Sequence, residues 1–397
     1  MSKWLLPDHI EDLTIGEAEK IEGVKRQAID YMRRNGYSLI SPPLIEHLDA
    51  LISGAGDDLE LSTFKLVDQL SGKTLGIRPD MTIQAARMDA SIFRQPGICR
   101  LCYYGSVLHT RPKGVFSSRE PIQIGAEMFG FGAVEGDIEV QKLMLDVVFR
   151  LGISCDTINL VLGHQGIIKA LINACGAEME AKSLKELYTA LKHRDRPEIK
   201  RICSRFDKNI KMALVDLPTL TGESNAILAA KKILPKVSTI EQAILTLEMV
   251  EKRLKKLVGG AVTLDFVDLR GFEYHTGLVF SMYAVGENDA IGWGGRYDDL
   301  GRSFGRARPA TGFTMDLRAL SKICPGLNKE QKVLAPYLPE DTVLDETIDE
   351  LRSSGFIVEI EYPGMPVSEN SQLTDFQYLV KKNGSWTISR DEKGKRP

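Results

Sequence analysis

The segment Pro121-Ile-Gln-Ile-Gly-Ala-Glu-Met-Phe129 alternates between two kinds of side chain without a break. Successive residues of a strand point to opposite faces, so Ile122, Ile124, Ala126 and Met128 share one face and Gln123, Gly125 and Glu127 the other. The first face can pack on a core. The second sets a glycine between two polar groups, which leaves a gap over the backbone, and a carboxylate at the edge of that gap suits an ammonium or imidazolium group. Periodicity by itself favours a plainer reading, a half-solvated strand of a one-sided antiparallel sheet.

With 397 residues, 43% hydrophobic and 26% charged, the chain has apolar material for two or three domains at roughly 100–200 residues each. A formal net charge of −3 gives no overall basic field for nucleic acid. The opening Met1-Ser-Lys-Trp-Leu-Leu-Pro7 has no signal-type apolar core, and no stretch reaches the ~18 apolar residues of a membrane span. A soluble, cytoplasmic protein is expected. Of six cysteines only Cys99 and Cys102 form a C-x-x-C pair. On a strand, residues three apart point to opposite faces, so packing is expected there and no metal or redox site. No cofactor is expected either.

Thr14-x-x-Glu17 reads as a capping box, followed by Ile21, Val24, Ala28 and Tyr31/Met32 at helical spacing until Asn35-Gly36. Residues Tyr37 to Glu46 read as an edge strand or turn because of Pro42 and Pro43. Ser71-Gly-Lys-Thr74 invites a phosphate-loop reading, which fails because Val67 stands where the first glycine is needed. A helix is expected from Gly136-Asp137, with Val140, Leu143, Val147 and Leu151 on one side. From about 170 to 257 the sequence is helical and strongly charged, with Ser238-x-x-Glu241 as a cap. Its Lys192, Arg196 and Lys200 are read as a solvated face in preference to an RNA contact. Strands are expected at Val262 to Val267 and Leu278 to Ala284, and the glycines of Gly292-Trp-Gly-Gly295 allow tight turns or close ligand approach. Residues 321–333 form a polar connection, and 334–397 read as a small α/β module with a helix at 345–353 and strands at 356–362 and 377–380.

Three further segments, Leu75-Gly-Ile-Arg-Pro-Asp-Met-Thr82, Leu269-Arg-Gly-Phe-Glu-Tyr-His-Thr-Gly-Leu-Val-Phe280 and Gly294-Gly-Arg-Tyr-Asp-Asp-Leu300, occur in order around the alternating strand. Together they resemble the signature segments of histidyl-tRNA synthetase from Pro7 to about Leu320. The resemblance implies an α+β fold: the class II aminoacyl-tRNA synthetase-like antiparallel sheet flanked by helices over 1–320, a helical insertion at about 170–257, and the small C-terminal module. It also implies a histidine pocket made of Asp80, Thr82, Gln123, Glu127, Arg270, Tyr274, His275 and Tyr297. In that pocket Arg270 holds the carboxylate, and the segments of Tyr274 and Tyr297 line the imidazole and amino groups. Asp80 stands where the synthetase has glutamate, and His275 replaces the second tyrosine of a Tyr-Tyr pair. Residues 37–46 match the motif that forms the synthetase dimer.

The ATP half of the synthetase pattern departs further. His109 and Arg111 occupy the motif 2 positions of an arginine and a glutamate, and Ala319 stands where motif 3 ends in an arginine, with Arg318 one residue out of register. Loss of one such fixed charge typically costs ~2.7–4 kcal/mol of transition-state stabilisation. This combination resembles the family of regulatory subunits of ATP phosphoribosyltransferase, the synthetase-like paralogues of bacterial histidine biosynthesis. That resemblance implies a non-catalytic homodimer within a hetero-octamer, partnered by the short catalytic subunit, with histidine as feedback effector and tRNA not a partner. The competing readings are an active, divergent histidyl-tRNA synthetase using Arg111 or Arg318, and a free-standing histidine or RNA sensor.

Overall fold

The computed structural model describes residues 4–54, 57–112, 114, 117–175, 179–258, 261–268, 274–326, 331–364 and 376–389. Helix α1 (Ile15–Arg34) begins where Glu17 folds back on Thr14, accepting from its N–H at 2.9 Å and its hydroxyl at 2.7 Å. With that turn satisfied, Ile21, Val24, Ala28 and Met32 are buried as one stripe. Two short strands follow, β1 (Ser38–Leu39) and β2 (Ile45–His47), where one edge element was expected. Pro42 and Pro43 offer no N–H, so the ladder stops, and the two pieces join different sheets.

Helices α2 (Leu48–Ile52) and α3 (Asp57–Ser62) lead to β3 (Phe64–Val67) and β4 (Thr74–Ile77), which with β2 make a three-stranded sheet. Helix α4 (Thr82–Ser91), β5 (Cys99–Ser106), β6 (Ile122–Phe129) and α5 (Val134–Arg150) come next. Strand β7 (Ile158–His164) opens into α6 (Gln165–Asn173), α7 (Ala181–Lys192), α8 (Arg196–Ile202), α9 (Lys208–Asp216), the two-residue β8 (Thr221–Gly222), α10 (Ser224–Ile233) and α11 (Ser238–Leu254). The unit Met1–Pro325 closes with β9 (Ala261–Asp265), β10 (Leu278–Ala284), β11 (Gly292–Arg296), β12 (Ala310–Asp316) and α12 (Leu317–Ile323).

Nine of these strands form one sheet in the order β1-β5-β6-β12-β11-β10-β7-β9-β8. The run from β5 through β7 is antiparallel throughout, and among the described residues the sheet's parallel pairs lie towards its two edges, β1 with β5 and β7 with β9. Strand β6 is therefore central, and every residue from Gln123 to Phe129 is buried. The half-solvated reading of this segment is overturned. On one face Met128 lies against Gly136 of α5, while the other face is covered by neighbouring side chains of its own sheet. Residues 292–295, whose glycines were expected to allow tight turns or close ligand approach, form an interior strand and not a turn.

One smaller departure has a local cause. Helix α11 is capped by Val237, and Ser238 is already its first residue, so the expected Ser238 cap does not form. Arg196 is spent on Asp216 and the Val215 carbonyl. On β5 Cys102 is buried and Cys99 half-buried, and burial pushes both thiols up to about 11, so neither is a thiolate near neutral pH.

The second unit, Gly326–Pro397, contains β13 (Lys332–Pro336), α13 (Thr342–Ser353), β14 (Ile357–Glu361), β15 (Phe376–Lys382) and β16 (Ser385–Ser389), ordered β14-β13-β15-β16. Leu344 and Ile348 of α13 pack with Val333, Ala335, Val358 and Leu379. Strand β13, unanticipated in the sequence, pairs in parallel with both β14 and β15; Val333, Leu334 and Ala335 in a row lack the alternation that marks a one-sided strand.

Candidate functional site

The site is built by register. Across the centre of the large sheet, Tyr103 of β5 lies opposite Gly125 of β6, which lies opposite Thr314 of β12; one step along, Leu101, Glu127 and Gly312 form the next row. A Cβ on Gly125 would sit 2.5 Å from the Phe313 carbonyl oxygen and 2.6 Å from the Tyr103 hydroxyl. The gap expected over this glycine is thus filled from within, by Tyr103. Glycine is also required at 312, where a Cβ would collide with the Glu127 carboxylate.

Glu127 is 1% exposed and is the centre of a hydrogen-bonded group. The Tyr103 hydroxyl donates to Glu127 Oε1 at 2.8 Å and lies 2.9 Å from Thr314 Oγ1 and 3.2 Å from Thr82 Oγ1. The Tyr297 hydroxyl reaches Glu127 Oε2. Burial raises the Glu127 carboxyl to about 8, against the opposing pull of the hydroxyls of Tyr297, Tyr103 and Thr82. Burial also raises the phenols of Tyr103, Tyr274 and Tyr297 well above the usual range, so they remain donors. Near neutral pH the carboxyl holds its proton, and an approaching cation favours its release.

The other predicted residues that are described converge on the same place. The Asp80 carboxylate accepts from the Thr82 N–H at 3.0 Å, fixing the start of α4, and the Gln123 amide oxygen accepts from the Met81 N–H at 3.1 Å. Tyr274 and His275 stack with ring centroids 4.4 Å apart, and Tyr297 meets both edge-on at 6.2 and 6.4 Å. Thr82, Glu127, Tyr274, His275, Tyr297 and Trp293 are among the residues lining a cleft whose cavity volume is about 10 Å³, room for roughly one water. Arg270, assigned to this pocket by the sequence, lies outside the described residues.

The residues that the resemblance sets at ATP-side positions are arranged differently. His109 is buried, with Nε2 2.9 Å from the Pro79 carbonyl oxygen, while its backbone N–H donates to Arg119 O at 2.8 Å. Arg111 is exposed. Arg318 lies in α12 close enough to Glu17 of α1 to lower that carboxyl slightly, after the stronger effect of the Thr14 hydrogen bonds.

A family model described as histidyl-tRNA synthetase matches residues 9–320. Over 98% of its length and 98% of the relative's, the chain is 42% identical to the ATP phosphoribosyltransferase regulatory subunit of Nitrosospira multiformis. It is 41% identical to the protein of that name from Nitrosomonas eutropha, over 98% and 99% of the two chains. The chain belongs to the ATP phosphoribosyltransferase regulatory subunit family. Among solved structures, one described as an ATP phosphoribosyltransferase regulatory subunit/histidyl-tRNA synthetase from Bacillus halodurans superposes with a TM-score of 0.80 at 24% identity, covering 95% of this chain and 98% of that one. The histidyl-tRNA synthetase of Nostoc gives 0.73 at 15% identity over 96% and 92%. The fold of this family member is thus the class II synthetase-like one.

In this regulatory subunit family member the sequence reading missed Tyr103, Thr314 and Gly312. Tyr103 follows Leu101 on the same face of an alternating strand, and a tyrosine beside a strand with a bare glycine is a complementary pair. That pairing becomes visible only once the β5–β6 register is known.

Proposed function

We propose that this chain is the non-catalytic regulatory subunit of an ATP phosphoribosyltransferase in the first step of histidine biosynthesis. In this reading it works in the cytoplasm, activates a short catalytic subunit and confers histidine feedback. The full-length likeness to proteins of that name carries the proposal. The synthetase-like core forms a homodimer within a hetero-octamer, and tRNA is not a partner.

Histidine is held by Glu127, Gln123, Thr82, Arg270 and Tyr297, with Asp80, Tyr274 and His275 completing the wall. The buried carboxyl of Glu127 supports this: when a cationic group of histidine arrives, the proton held at about 8 leaves and the carboxylate keeps its tyrosine donors. Because the cleft has room for roughly one water, an amino acid enters only as side chains lining it rearrange. Histidine then favours one quaternary arrangement by binding it more tightly, and a coupling of ~1–3 kcal/mol is enough for useful feedback.

At the motif 2 position His109 is engaged with a backbone carbonyl, which supports a chain that does not form aminoacyl-adenylate. Calorimetric titration of the complex with histidine tests the pocket. Glu127→Ala is expected to weaken binding by on the order of 100-fold, since removing one partner from a buried charged group typically costs several kcal/mol. Unchanged binding and inhibition in that variant would refute the assignment.

A further inference from the structure

Asp268 and His275 are each held through a backbone carbonyl by one helix. Helix α6 starts at the end of β7, and its Gln165 and Lys169 lie one turn apart on the same face. The Gln165 side chain, 1% exposed, donates through Nε2 to the carbonyl oxygen of Asp268 at 2.7 Å. The Lys169 ammonium donates to the carbonyl oxygen of His275 at 2.7 Å. The backbone N–H of Gln165 also donates to the carbonyl oxygen of Gly277 at 2.9 Å. The carbonyls of Asp268 and His275 are thus both gripped by the first turns of α6.

Lys169 is a costly choice for a merely structural donor. Its half-buried ammonium is depressed by desolvation, which a nearby Asp299 opposes. The carbonyl it holds belongs to the residue whose imidazole stacks on Tyr274 and faces Tyr297 across the cleft. Helix α6 in turn packs on α9 and α11 of the helical insertion. The same helix therefore touches the pocket wall at one side and the insertion at the other.

We propose that Gln165 and Lys169 are positioning residues for the ligand pocket, holding the carbonyls of Asp268 and His275 so that the Tyr274–His275 wall meets an amino-acid ligand in one geometry. The proposal rests on the histidine reading given above. Neither residue touches the ligand; each acts through a backbone carbonyl.

Histidine titrations of the full chain, as wild type, Lys169→Met, Lys169→Arg and Gln165→Met, test it, each paired with a thermal melt taken without histidine. A charge-assisted hydrogen bond lost at a pocket wall is expected to raise the histidine Kd about tenfold in Lys169→Met, and Lys169→Arg, which keeps a cationic donor, should restore most of it. Gln165→Met should weaken binding in the same direction, with melting temperatures close to wild type. Wild-type binding together with unchanged affinity in Lys169→Met and Gln165→Met would overturn the clamp while leaving the pocket intact. Affinity losses that only track lowered melting temperatures, with no rescue by arginine, would also overturn it. No binding by the wild type would overturn the histidine reading and the clamp with it.

Discussion

Two parts of the synthetase-like core use buried polar groups in opposite ways. Around Glu127 the hydroxyls of Tyr103 and Tyr297 converge on one carboxyl, with Thr82 and Thr314 beside Tyr103, and a cleft opens beside them. Around His109 the imidazole faces a backbone carbonyl, and the chain is tied to itself through Arg119. Convergent side chains next to a cleft can exchange partners with a ligand; a side chain held against its own backbone serves the fold. The contrast agrees with a core that kept amino-acid recognition and gave up nucleotide chemistry.

The largest test of that contrast is histidine-dependent ATP–pyrophosphate exchange. On the reading that His109 and Ala319 stand at two arginine positions of a synthetase, and at roughly 10²–10³ in rate for each such loss, exchange is expected to fall below that of a synthetase by on the order of 10⁴ or more. Exchange at a synthetase-like rate would break the comparison and favour the divergent enzyme.

A second effect concerns pH. The Glu127 carboxyl is raised from 4.5 to about 8 in the fold, so the protonated form is the one the fold favours. Its contribution to stability is complete below about 4.5 and is lost as pH rises through about 8, at up to about 1.4 kcal/mol per pH unit. Urea melts across that window should show wild type weakening as pH rises and Glu127→Gln weakening less. Equal slopes would contradict the protonated carboxyl.

Gly312→Ala comes next, because its Cβ would collide with the Glu127 carboxylate. A stability loss of ~1–3 kcal/mol, together with weakened histidine binding, is expected from denaturant melts and calorimetry. Tyr103→Phe keeps the ring over Gly125 but loses the hydrogen bond to Glu127 and the hydroxyl contacts with Thr314 and Thr82; at about 1 kcal/mol for a typical hydrogen bond, a several-fold to tenfold weaker histidine Kd is expected.

The alternation at residues 121–129 correctly separated the α5-facing side from the Glu127 side, because side-chain period is a local property of a strand. It misjudged solvation, since whether a face is covered depends on neighbours that periodicity does not name. The same limit hid Tyr103 and Thr314, which reach Gly125 only through cross-strand register. Helix α1 was legible because its capping contact lies three residues away. The clamp from α6 was invisible because Gln165 and Asp268 are 103 residues apart in sequence.

Reconstitution with a short ATP phosphoribosyltransferase catalytic subunit tests the central claim most directly. The rate of ATP phosphoribosylation should rise when this chain is added, and histidine should suppress that rise in the wild-type complex and fail to do so with Glu127→Ala. A catalytic subunit whose rate is unaffected by this chain, with or without histidine, would contradict the account.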